Sequence, residues 1–166
     1  GLWLDVKNFF TGSNSFDTGR ELMRRVIDDP HTTTISFVSG KTAANSADPV
    51  NTDFTKTAGD AVIHYDPAAA RTLVMPEFDK STGKVTDRVA DPGVVLGHEQ
   101  IHATHVMAGQ VSGMGPSTYK GLDGNTFTHR NEEARTVGVG GTQRADDITE
   151  NQLREMIGIK PRNNYN

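Results

Sequence analysis

GHEQIHATH, residues 97–105, gathers three histidines and one glutamate into nine positions of a chain that has 6 histidines in all. Successive residues of an α-helix are about 100° apart, so His98 and His102 stand roughly 40° apart on one face and one turn apart in height. Two imidazoles in that relation reach a single tetrahedral zinc ion at about 2.0–2.1 Å. Glu99, beside the first histidine, is placed to contact a zinc-bound water without occupying the metal. This is the HExxH arrangement, with the glutamate as general base. His105 lies within about 20° of His98 around the axis but two turns away, too far for one ion to take all three from a straight helix. It reads as a packing residue or a support behind the ligands. The longer pattern HExxHxxGxxH is not met, because His105 stands at its glycine and Ala108 at its last histidine.

A catalytic zinc needs a third protein ligand and an open position for water, and two histidines with a glutamate are a common solution. NEEARTVGVGG, residues 131–141, offers Glu132 and Glu133 some thirty residues downstream, the helix, loop, glutamate order of gluzincins. Asn131 and Glu132, with Thr136 four residues on, are similar to the NExxSD pattern of thermolysin-like enzymes; Glu133, with Thr136 three residues on, fits looser gluzincin patterns. The sequence does not separate the two glutamates. A donor near the developing oxyanion is also required, and Tyr119, Tyr165, His129 and Arg135 are the candidates.

These residues need elements to hold them. Asp91 and Pro92 form a helix start, a capping carboxylate followed by proline at the first helical position, and the helix should run to about Ala108 before Gly109. The histidines therefore fall mid-helix, among Val94, Val95, Leu96 and Ile101. Upstream, residues 16–30 place Phe16, Leu22, Met23, Val26 and Ile27 on one stripe of a packing helix that stops at Pro30. Residues 32–40 are rich in β-branched side chains and read as a strand, and 41–59 as a polar loop. DAVIHYDP (60–67) and RTLVMPEFD (71–79) suggest a hairpin, with Pro76 demoting the second run to an edge that an extended substrate could pair with. KSTGK (80–84) is a turn and not a phosphate loop, since it lacks the upstream glycine of that motif. Five glycines with Pro116 make 109–128 a loop. Short helices follow near 129–137 and, capped by Thr149, at 149–157, before an irregular tail whose Tyr165 could fold over a cleft. The fold class expected is α+β and zincin-like: a small mixed or antiparallel sheet packed on the histidine helix, with glycine-rich loops.

Composition bounds the rest. A chain of 166 residues suits one domain with a real core. With 34% hydrophobic residues and 17 glycines it is leaner in apolar side chains than an average domain, so much of it should be loop. A net charge of −4 without a block of like charge advertises neither nucleic acid nor an anionic membrane as partner. The absence of cysteine excludes disulfides and thiolate metal sites, which leaves histidine, aspartate and glutamate as the strong metal ligands. No apolar run approaches the length that spans a bilayer, and GLWLDVKNFF lacks the form of a signal peptide. Monomer is the default.

VVLGHEQIHATH followed by NEEARTVGVGG and ITENQLREMIGIKPRNNY resembles the NleD-like family of effector zinc metallopeptidases and the related peptidase domains at the C-terminal ends of Rhs-type polymorphic toxins. The similarity is clearest from about residue 90 onward. It implies zinc held by His98, His102 and a glutamate of the pair, Glu99 as base, and cleavage of a protein in a target cell after secretion or translocation, with an immunity protein as a possible partner. GLWLDVKNFF would then be the junction after an Rhs core. Two other readings stay open: a zinc amidase of small molecules, which requires a closed pocket, and a zinc-stabilised binding domain, which requires a fourth protein ligand.

Overall fold

The structure is a computed structural model that describes residues 17–40, 45–50 and 57–165. Phe16 and GLWLDVKNFF lie outside the described residues. The fold is α+β, as expected. Helix α1 (Asp17–Asp28) leads to strand β1 (Thr33–Phe37), which pairs in parallel with β3 (Ala61–Tyr65), and β2 (Ser46–Pro49) pairs antiparallel with the other edge of β3. The sheet order is therefore β1-β3-β2. Along β3 the residues alternate: Ala61, Ile63 and Tyr65 are buried and Val62 and His64 are not, as a one-sided sheet requires.

The buried face meets the helix that carries the histidines, α3 (Pro92–Met107). Asp91 caps it by accepting from the amides of Gly93 and Val94, and Pro92 occupies its first turn. Thirteen of its 16 residues are buried. Val95, Leu96, Ala103, Val106 and Met107 pack against the sheet, while Val94 and Ile101 on the other side pack with Leu22 of α1 and Leu153 of α5 (Glu150–Met156). Burial contributes about 1.5–3 kcal/mol for each such large aliphatic side chain, so the helix is clamped from two sides. Ile27 does not join this core and is 73% exposed, because α1 turns Leu22 and Val26 inward and leaves Ile27 outside the stripe.

Three expectations are corrected. The runs 60–67 and 71–79 do not form a hairpin. A one-turn helix, α2 (Pro67–Ala70), capped by Asp66 on the amides of Ala68 and Ala69, redirects the chain, and both edges of β3 are already taken. Strand β4 (Val74–Asp79) instead pairs with β5 (Lys84–Val89) across the 80–83 turn, in which Asp79 accepts from Ser81 and Gly83 takes φ 68°. The polar stretch 41–59 contains β2, and the glycine-rich stretch 109–128 contains β6 (Pro116–Lys120), paired with β7 (Thr126–Arg130). In both, the alternating pattern is short and polar, so turn residues outweigh it in a sequence reading.

The remaining helix, α4 (Asn131–Val137), follows β7 directly and ends at Gly138 with φ 87°. A Cβ there would meet Thr149, the cap of α5, at 2.8 Å. Glycine thus lets the ends of α4 and α5 touch, and these two helices bring their carboxylates to the same face of α3.

Candidate active site

Residues 132 and 133 are neighbours on α4 and so point about 100° apart. His102 lies between them. Its Nε2 is 3.0 Å from Glu133 Oε2 and its Nδ1 is 3.1 Å from Glu132 Oε1. His98 repeats the pattern, with Nε2 3.2 Å from the same Glu133 oxygen and Nδ1 2.8 Å from Glu150 Oε2. An ionised carboxylate only accepts, so with Nδ1 donating to Glu132 or Glu150, each imidazole when unprotonated presents an Nε2 lone pair beside Glu133. Those two Nε2 atoms are 3.1 Å apart and face a carboxylate oxygen. Three electron-rich atoms at that distance need a cation among them. Donors of one tetrahedral ion with bonds near 2.0–2.1 Å stand roughly 3.3 Å apart. Two imidazoles and one carboxylate also match zinc rather than the all-oxygen preference of magnesium or calcium. The residues present therefore fit the metal expected.

A second group of possible ligands adjoins the first. His102, His105 and Glu132 also bring ligand atoms within 4.8 Å of one another. Here, however, Glu132 is already engaged by the amide of Ser112, by Thr136 and, at 3.7 Å, by Arg135. His105 donates from Nδ1 to Glu132 and stands 3.7 Å from Asp147 at Nε2. All three residues are buried.

The first group opens on a cleft of about 210 Å³ lined by Glu99, His102, Glu133 and Tyr165, with Asn45, Ser46, Ala47 and Asp48 of the β2 segment along its wall. Glu99 is 7% exposed, and burial pushes its carboxyl above the ordinary range against the pull of His98 and His102. Burial opposes charge on His98 and His102 too, yet Glu133 with Glu150, and Glu133 with Glu132, hold them above the usual histidine value. Burial likewise works against Glu133, and the two imidazoles hold its carboxyl well below the ordinary value. Glu150, wholly buried, is held at about 2 by Arg162, His98 and Arg154.

Of the oxyanion candidates, Tyr165 alone lines this cleft. Its ring stacks on His98 at 5.7 Å between centroids, stands 4.5 Å from His129 and carries the Arg162 guanidinium at 4.5 Å. Burial and the Glu133 charge push its hydroxyl up, so it stays protonated. Tyr119 lies behind it and accepts from the Tyr165 amide at 2.9 Å, which holds the tail in place. Arg135 is fully buried and spans Asp147 and Gln110, away from the cleft. The sequence reading missed Glu150, Arg162 and β2. Glu150 sits 52 residues from His98, and no spacing rule links them.

A family model of peptidases, M91, described as effector proteins, matches residues 7–165. The chain belongs to this family of metal-dependent effector peptidases. A comparison with curated proteins gives no match. For an M91 peptidase the effector description points to a host protein as target and to translocation into host cells. Among the described residues no helix is long and apolar enough to cross a membrane.

Proposed function

We propose that this M91 chain is a zinc endopeptidase of the HExxH gluzincin type, with residues 1–166 acting as one zincin-like domain. The observation that carries the reading is the convergence of His98 Nε2, His102 Nε2 and Glu133 Oε2 at the wall of an open cleft that also holds Glu99. His98, His102 and Glu133 are the ligands, and Glu132 is assigned to orient His102. Zinc held there would supply a Lewis acid for the scissile carbonyl and for the attacking water. Glu99, whose carboxyl is inclined to hold a proton, takes one from that water and hands it to the leaving amine nitrogen. Tyr165 donates its hydroxyl hydrogen to the carbonyl oxygen.

The substrate lies extended beside β2, not beside 72–79 as the sequence suggested. The free side of β4 is bridged by the tail, through Phe78 to Pro161 and Asn163 to Pro76, whereas β2 is the sheet edge that borders the cleft. An open cleft along a strand edge favours a polypeptide over a small amide. A triad with one side on that cleft favours catalysis over a closed structural site. The target is a protein of the cell into which the chain is delivered, the chain acts as a monomer, and an immunity protein that covers the cleft is the partner proposed if the chain is a toxin domain.

Glu99→Gln tests the reading. It should keep about one zinc per chain by elemental analysis and lose roughly 10²–10⁴-fold in kcat/KM on a cleaved protein or peptide. A variant that still cuts, or one that loses its zinc, removes Glu99 from the role of base.

A further inference from the structure

A second cavity, of about 220 Å³, shares Tyr165 with the first. His98 and Glu99 form part of its lining, and Ala69, Leu73, Met75 and Val95 supply apolar walls. Glu99 and Tyr165 belong to both cavities, so a peptide carbonyl held between them places one neighbouring residue in each.

The two cavities differ in chemistry. The first is bordered by Asp48, Arg130, Glu132 and Glu133. In the second, away from His98, Glu99 and Tyr165, Asn45 accepts from the Asp66 amide at 2.8 Å, and Arg162 donates to Glu150 and lies over the Tyr165 ring, while the remaining walls are aliphatic. What the second cavity offers an incoming side chain is therefore aliphatic surface. Leu73 is 38% exposed although Met75 and Val95 beside it are each 2% exposed. A large apolar residue left half uncovered at the mouth of an apolar cavity gains by being covered.

We infer that this cavity is the specificity pocket of the peptidase: it receives an apolar side chain from one of the two residues that flank the cleaved bond. The inference rests on the peptidase reading above. A pocket of this kind ranks substrates modestly, because each methylene it covers or fails to cover changes kcat/KM by roughly 10–200-fold.

The test is a cleavage profile of the zinc-loaded chain on peptide libraries randomised at the two flanking positions. The wild type should select leucine, methionine or phenylalanine over aspartate and lysine at one flanking position, by roughly tenfold or more. Leu73→Arg puts a cation at the mouth and should move that position toward acidic residues. Ala69→Leu narrows the cavity and should move it toward smaller apolar ones. Zinc content and circular dichroism of each variant separate a changed pocket from a lost fold. Cleavage without an apolar preference at either position, or unchanged profiles in both folded variants, overturns the pocket and leaves the peptidase reading standing. A zinc-loaded wild type that cuts no library member overturns both.

Discussion

The two sides of the His102 ring carry nearly the same donor set and differ in what that set is free to do. On the Nε2 side stand His98 and Glu133; on the Nδ1 side stand His105 and Glu132. Each side has two imidazoles and one carboxylate. Glu132, however, is surrounded by Ser112, Thr136, Arg135 and His105, all of which satisfy it within the fold. Among the described residues, Glu133 meets only the two Nε2 atoms, and it borders the cleft. Donor identity alone does not make a metal centre: unsatisfied lone pairs facing a solvent-accessible space do, and the satisfied side serves to hold the ring still.

The comparison can be broken at either carboxylate. Glu133→Ala removes a ligand and should reduce zinc from about one per chain to none after dialysis against a mild chelator, with cleavage abolished; a variant that retains its zinc would move the third ligand elsewhere. Glu132→Ala should be milder. Losing an outer partner of a ligating histidine typically costs 10–100-fold in metal affinity or activity, so zinc should bind measurably but more weakly in a competition titration. If Glu132→Ala strips the metal and Glu133→Ala does not, the two sides of the ring have been assigned in the wrong order.

How much of this was legible beforehand follows from how each contact is encoded. The helix Pro92–Met107 and the facing of His98 and His102 are local consequences of a cap, a proline and a four-residue spacing, so they could be read directly. The Glu132–Glu133 pair could be found but not resolved, because choosing between neighbours 100° apart on a helix requires knowing how α4 is rotated against α3, and tertiary packing sets that angle. Glu150 and Arg162 were invisible: a buried carboxylate behind His98 and the guanidinium that steadies it are long-range partners without a shared motif. Strand β2, four residues with the sequence SADP, had too little pattern to read as a strand, yet it forms the cleft wall.

The smallest effect, and the one that probes the Nε2 side most directly, is the pH dependence of stability with and without metal. In the metal-free chain His98 and His102 are held above the ordinary histidine value by their carboxylate partners. Protonation there contributes stability that is complete below about pH 6.5 and is lost as pH rises through the raised values. The depressed carboxylates act with the opposite sign: Glu132, Glu133 and Glu150 contribute above about pH 4.5, and that contribution disappears as pH falls through their lowered values, about 2 for Glu150. His105 is pushed down by burial and so favours folding in its neutral form. Zinc needs the same two imidazoles unprotonated, so its stabilisation grows over the interval in which the proton's is lost. Calorimetric Tm values of the chelated and zinc-loaded chain should therefore diverge by several degrees between pH 6 and 8, the chelated form falling. A constant gap across that range would mean that nothing cationic is required where the two Nε2 atoms meet, and the distinction between the two sides of His102 would lose its physical basis.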